Sequence, residues 1–459
     1  MITSKRIRLH RKSFTLVVSL VALGIGCVAA GSAFGTDSTD NPYSPAYGHS
    51  YRHGVVPTRE AWEHMKEYAA QHASPGGAAG SKTLIYGGGV DGIGVTSGPQ
   101  KVYLVVYGSQ WGTQGTDAQG NWTFSNDAGG AIPYLQRLFK GIGTNGELWS
   151  GVMTQYCDGA VSAGATTCPS GASFVPYPPT SGTFAGIIYD NSVASPSNAT
   201  YVQLGQEAVK AAGLFNNKTA ASNRYAQYVI LSPPGTHPDG FNTPQGTFCA
   251  WHDWNGDLGV ASSYGDIALT NMPYVLDLGA SCGQNFVNSG SAGTLDGFSI
   301  VNGHEYAETI TDQNPAGGWT ASSGQENADE CAWISSGQGA SANVAMATGT
   351  FAMQSTWSND TNRCDLTHPV VTGGGGGGGL TLGAFSYVAN HLSVTFTTGA
   401  VSGGTTPYSY SWSFGDGVSG SGSSTSHVYK KPGNYSVKET VTDNGGASAS
   451  STKNVSVKH

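Results

Sequence analysis

The chain has 459 residues, only 11% of them charged, and it holds 68 glycines. Its 21 Lys and Arg stand against 29 Asp and Glu, and five of the basic residues (Lys5, Arg6, Arg8, Arg11 and Lys12) crowd the start, so the remainder carries 16 against 29, a net charge of −13. That balance, without a basic patch interleaved with aromatics, argues against nucleic acid as a partner.

The basic start is followed by an almost unbroken apolar run over residues 14–30 and then by small residues. This is the pattern of an export signal covering residues 1–33. No later stretch is apolar enough to cross a bilayer, so no stable membrane insertion is expected once the signal is cut, and the expected location is secreted, extracellular. Cys27 leaves with the signal, and six cysteines remain: Cys157, Cys168, Cys249, Cys282, Cys331 and Cys364. An even number in an exported chain implies disulfides. Of the fifteen pairings allowed, the sequential ones (157–168, 249–282, 331–364) are favoured because each closes a short local loop.

Residues 34–81 read as a polar N-terminal segment or propeptide. Within it, residues 58–72 have a helical pattern, with Thr58 as N-cap and Trp62, Met65 and Tyr68 near one face. From residue 82 to 368, β-prone and helical runs alternate. Strands are expected at 101–107, 148–156 and 225–231, and helices at 131–140, 201–214 and 298–311. Such alternation implies an α/β domain with a mixed sheet, long enough to bury a site in its core. Seven consecutive glycines, 373–379, mark residues 369–380 as a flexible linker. Residues 381–459 then show short alternating runs at 392–396, 408–414 and 435–441, separated by Gly, Ser and Asp turns. That is the signature of a small all-β sandwich.

Chemistry concentrates in the segment Gly303-His304-Glu305-Tyr306-Ala307-Glu308-Thr309-Ile310-Thr311-Asp312. His304, Glu308 and Asp312 are spaced i, i+4, i+8 and share one face of a helix. The zinc-protease pattern H-E-x-x-H presents two metal ligands one turn apart, with the adjacent Glu as general base. Here Glu308 stands where the second His would be. His304 and Glu308 are therefore candidate metal ligands, and Glu305 is the candidate catalytic base. Further ligands are expected from Glu326 and Asp329, beside Cys331, or from His252, three residues after Cys249. A carboxylate-rich set of this kind suits a divalent metal, Zn²⁺ first, with Ca²⁺ or Mn²⁺ as alternatives. No G-x-x-x-x-G-K-[ST] phosphate loop occurs, which argues against a nucleotide-hydrolysing enzyme of that type.

Two resemblances follow from these residues. The tail, with Tyr410-Ser411-Trp412-Ser413-Phe414-Gly415-Asp416-Gly417, His427-Val428-Tyr429 and Pro432-Gly433-Asn434-Tyr435, resembles the polycystic kidney disease (PKD) type of module. That resemblance implies an immunoglobulin-like sandwich with Trp412 and Phe414 in its core, of a kind common in secreted hydrolases. The order of landmarks in residues 83–365 is similar to the EXORDIUM, or phosphate-induced, family of secreted proteins. The carrying segments are Leu84-Ile85-Tyr86-Gly87-Gly88-Gly89, Val102 to Gly108 with Trp111, Cys249-Ala250-Trp251-His252, the helix at 303–312, Trp319, Glu326 to Cys331, Trp357 and Cys364. It implies an extracellular or cell-wall protein with a protease-like helix.

Two functions are therefore expected. The first is a secreted metal-dependent hydrolase, foremost a peptidase, with a zincin-like helix, acting on extracellular protein. The alternative is a non-catalytic protein that binds a cell-wall polymer or polysaccharide, its polar groups forming a structural metal site.

Overall fold

The computed structural model describes residues 41–72, 82–371, 381–402, 408–442 and 448–458. The expected signal at 1–33 and the glycine run at 373–379 lie outside them. Among the described residues no helix is long and apolar enough to cross a membrane.

Six strands build the main sheet: β1 (His53–Pro57), β2 (Lys101–Tyr107), β3 (Phe184–Asp190), β4 (Ala226–Leu231), β5 (Phe248–Trp254) and β6 (Ala268–Met272), in the order β1-β5-β6-β4-β2-β3. β6, β4, β2 and β3 run parallel, whereas β5 is antiparallel to both its neighbours. The run Lys-Val-Tyr-Leu-Val-Val-Tyr forms β2 because β-branched and aromatic side chains suit a strand buried on both faces. The main domain is thus mixed α/β.

Four long helices accompany the sheet: α1 (Arg59–His72), α2 (Ala131–Gly141), α3 (Tyr201–Leu214) and α4 (Asp296–Thr311). Thr58 caps α1, accepting from the Ala61 N–H at 3.2 Å, and Trp62 and Met65 are buried beneath it. α3 opens with a capping box between Thr200 and Gln203. Adjacent residues of β4 point to opposite faces. Tyr228 stacks on Tyr103 beside Phe215 at the end of α3, and Gln227 reaches α4, so α3 and α4 cover opposite sides of the sheet. α2 lies beside α4, where Tyr134 Oη donates to Ser299 Oγ at 2.9 Å.

α4 is buried along its whole length, as for a helix enclosed on all sides. It lies between β5 and β6 on one side and the hairpin of β7 (Ala342–Met346) and β8 (Gly349–Met353) on the other. Gly303 sits inside the helix, where a Cβ would come within 2.6 Å of the Met353 methyl. Its absence of side chain lets the helix approach β8.

One expectation needs correction. Residues 148–156 form no strand but a 3-10 helix, Ser150–Gln155. The Glu147 carboxylate accepts the Ser150 N–H and hydroxyl, and Thr154 Oγ1 donates back to the Gly151 carbonyl, so local side chains stabilise a turn that apolarity alone does not disclose. In the N-terminal segment, β1 belongs to the main sheet and α1 buries apolar side chains.

The three disulfides join Cys157–Cys168, Cys249–Cys282 and Cys331–Cys364, the sequential pairing expected. The C-terminal region is a β-sandwich of two antiparallel sheets. Ser386–Asn390, Ser393–Thr397 and Ser424–Val428 form one, and Ser419–Ser421, Ser409–Ser413, Gly433–Thr442 and Ser448–Val457 form the other. Trp412 and Phe414 pack in its own core with Phe396 and Val437.

Candidate metal centre

α4 carries His304, Glu305 and Glu308 into the core, and two other elements bring the rest. His252 comes from β5, and Glu326 and Asp329 come from the segment that leads into Cys331. None of these six side chains is more than 4% exposed. His304 Nε2 lies 3.0 Å from Glu308 Oε2 and 3.3 Å from Asp329 Oδ1. These three atoms have no hydrogen-bond partner. Groups of opposite character, close but unaligned for hydrogen bonding, are unusual in a protein interior.

The other polar atom of each group is held. Asp329 N–H donates to Glu308 Oε1 at 2.9 Å, and Glu326 N–H donates to Asp329 Oδ2 at 2.9 Å. Gln354 Nε2 donates to the Ala328 carbonyl at 2.7 Å, which turns Gln354 Oε1 toward His304 Nδ1, 3.2 Å away. His304 must therefore donate from Nδ1, leaving Nε2 facing Glu308 and Asp329. Ligand atoms of a tetrahedral ion at ~2.0–2.1 Å stand about 3.3 Å apart. The residues present fit a divalent cation.

A second convergence shares Glu308: His252 Nδ1 is 3.3 Å from Glu305 Oε2 and 3.7 Å from Glu308 Oε2. On its other side His252 Nε2 is 3.5 Å from Glu326 Oε1. The ligand atoms of His252, Glu305 and Glu308 lie within 4.8 Å of one another, as do those of His304, Glu308 and Asp329. Glu326 belongs to neither trio. Its role is to face His252 and to fix Asp329 through its backbone.

Electrostatics follow from burial and neighbours. Burial opposes a charged His304, but the Glu308 and Asp329 carboxylates overcome it and hold the imidazole well above its ordinary range. Burial, reinforced by Asp329, pushes Glu308 up to about 7. Burial also raises Glu305 and Glu326 well above the carboxylate range. His252 moves the opposite way, lowered by burial and by His53 and His304. A cluster holding more acids than cations thus retains protons that a cation would displace.

Asp312, expected on the same helical face, is not part of the centre. α4 ends at Thr311, and the Asp312 carboxylate accepts N–H bonds from Ala316 and Gly318. Asp253, next to His252, points elsewhere and groups with His53 and Asp257. Two residues that pattern reading did not single out are Gln354, which orients His304, and Gly54 of β1. A Cβ on Gly54 would lie 2.0 Å from Glu308 Oε2.

Residues 380–458 match the PKD domain. Among solved structures, the PKD1 domain from the Vibrio cholerae metalloprotease PrtV is 29% identical over 18% of this chain and 99% of that one, with a TM-score of 0.17. The PKD1 domain of Vibrio anguillarum Epp is 29% identical over 18% of this chain and 95% of its own, also with a TM-score of 0.17. The PKD domain of an M14-like peptidase from a Thermoplasmatales archaeon is 18% identical over 18% of this chain and 98% of its own, with a TM-score of 0.14. All three concern the C-terminal module. PKD domains are often found in extracellular enzymes and adhesion proteins, and the module and the three disulfides are consistent with an extracellular protein.

Proposed function

We propose that the α/β domain is a secreted metal-dependent hydrolase, foremost a peptidase, and that its order of landmarks makes it a relative of the EXORDIUM proteins. The observation that carries the hydrolase reading is the meeting of His304 Nε2, Glu308 Oε2 and Asp329 Oδ1, all buried and without hydrogen-bond partners, while the opposite atom of each group is anchored. These three would hold the cation. One nitrogen and two carboxylate oxygens suit Zn²⁺, with Mn²⁺ or Ca²⁺ as alternatives. When bound, such an ion supplies Lewis acidity, polarising a carbonyl and acidifying water.

The chain's own contribution is proton transfer and positioning. Glu305 follows the first ligand, and both its oxygens lack partners, so it is the group free to take a proton as general base. His252 Nδ1 stands 3.3 Å from Glu305 Oε2, next in line for its proton. The buried setting excludes bulk water and strengthens every charge interaction inside it.

Burial also favours the second reading, a structural metal site in a wall- or polysaccharide-binding protein, because no side chain of the cluster is more than 4% exposed. The two separate in one experiment. Metal content and hydrolysis of denatured protein substrates are measured for the wild type, Glu305→Gln and Asp329→Asn, each intact and after a cut introduced between residues 72 and 82. The hydrolase reading expects Glu305→Gln to keep metal and lose hydrolysis 10²-fold or more, and Asp329→Asn to lose both. Metal retained with unchanged hydrolysis in Glu305→Gln removes the general base, and a wild type that binds metal without hydrolysing in either form establishes the structural alternative.

A further inference from the structure

A buried centre poses a question of access, and β1 is what stands over it. Gly54 is the close contact: a Cβ there would lie 2.0 Å from Glu308 Oε2 and 2.4 Å from His252 Cε1, and its φ of +49° is one that glycine tolerates best. β1 is also the outermost strand of the sheet, hydrogen-bonded only to β5. His53 stands opposite His252, Val56 opposite Ala250 and Pro57 opposite Phe248, with register irregularities on either side of Val56. Such a bulge re-aims the backbone, and here Gly54 lies within it, against the cluster. Beside the strand runs a cleft of about 170 Å³, lined by Arg52, His53 and Val55 on one flank and by Glu326 and Asp329 on the other.

We infer that β1 occupies the seat of an extended polypeptide on the edge of β5, and that the centre is latent while β1 is in place. An incoming peptide takes the same antiparallel course along β5, with backbone hydrogen bonds supplying affinity. Nothing bulkier than glycine fits over Glu308 and His252, which makes glycine at that position the selected feature of the ligand. The inference rests on the hydrolase reading for its consequence, but the seat itself is defined by strand pairing and the fit at Gly54. The covering segment is held by more than β1. Trp62 and Met65 of α1 are buried, and Arg52 pairs with Asp239 at 2.8 Å while its guanidinium lies over Phe248. Residues 73–81, which follow α1, read Ala-Ser-Pro-Gly-Gly-Ala-Ala-Gly-Ser and carry no charge. A cut there separates the cover from the rest of the chain without touching the sheet strands β2 to β6.

The test inserts a recognition sequence for a specific protease within residues 73–81 of the full chain. Cut and uncut protein are challenged with a fluorescent peptide of residues 49–58 and with the same peptide carrying Ala in place of Gly54. Cut protein should capture the Gly peptide at least tenfold more tightly than uncut protein, and the Ala peptide at least tenfold more weakly than the Gly peptide. Equal capture of the two peptides, or no capture after cutting even with the peptide in hundredfold excess, overturns the inference and makes β1 a permanent strap. Intact Gly54→Ala protein supplies a second readout. Amide exchange over Phe248–Trp254 should rise at least tenfold, and unchanged exchange counts against a displaceable strand. Metal content is measured on the same samples. Glycine-selective capture without metal refutes the hydrolase and leaves the peptide seat, whereas metal-dependent hydrolysis by uncut protein refutes latency and leaves the hydrolase.

Discussion

Gln354 offers the sharpest check on the centre, because it contributes no ligand atom and yet sets which nitrogen of His304 faces the carboxylates. Gln354→Met keeps the length of the side chain and removes both its hydrogen bonds, 3.2 Å to His304 Nδ1 and 2.7 Å to the Ala328 carbonyl. Losing the partner of a ligating imidazole typically weakens a metal site 10–100-fold, or about 1.4–2.8 kcal/mol. Two net hydrogen bonds at about 0.5–1.5 kcal/mol each predict a further loss of about 1–3 kcal/mol in the stability of the metal-free protein. Chelator competition measures the first quantity and chemical denaturation without metal the second. Metal affinity within twofold of wild type, in a background where Asp329→Asn abolishes binding, would refute the orienting role. Unchanged stability would refute the hydrogen bonds themselves.

Other outcomes follow from parts of the molecule remote from that amide. Burial, with Asp190 beside it, pushes the Glu207 carboxyl from 4.5 up to about 8. The fold therefore prefers the protonated acid, and stability is full below pH 4.5 and declines toward pH 8, by on the order of 4 kcal/mol. Glu207→Gln should raise the melting temperature at pH 8.5 and change it little at pH 5, and an equal effect at both refutes the assignment. Removing Cys249–Cys282, which closes a 33-residue separation, should cost about 3.7 kcal/mol in denaturant titration. In the C-terminal sandwich, Trp412 is buried and donates from Nε1 to the Gly422 carbonyl at 2.9 Å. Trp412→Ala should lower that module's stability by about 3–5 kcal/mol, seen in calorimetry of the full chain as a shift confined to one transition.

The legibility of each part depended on whether its determinants are local. Lys101–Tyr107 announces itself as a strand through its β-branched and aromatic run, and Tyr201–Leu214 announces itself as a helix through its amphipathic spacing. His304 and Glu308 are legible for the same reason, one helical turn apart on a single element. Asp312 follows the same spacing but fails, since the helix stops one residue earlier and the turn at 316–318 claims its oxygens. Choosing Asp329 over Glu326 required knowing which carboxylate faces α4, which is a tertiary fact. Gln354 and Gly54 lie 50 residues after and 250 before His304, and neither an amide nor a glycine carries a chemical signature. The 3-10 helix at Ser150–Gln155 is set by the Glu147 carboxylate and a Thr154 back-bond, contacts that periodicity does not reveal.

The Cys331–Cys364 bridge stands two residues from Asp329, whose N–H and carboxylate complete the cluster on α4. The segment that carries Asp329 is thereby held by a covalent bond that a reductant can open. Opening the bridge is expected to loosen the segment that carries Asp329 and to leave the third arm of the cluster out of register. Cation uptake by reduced and reoxidised protein tests this: uptake should rise on reoxidation, and equal uptake in both states would show that the bridge does not hold the register.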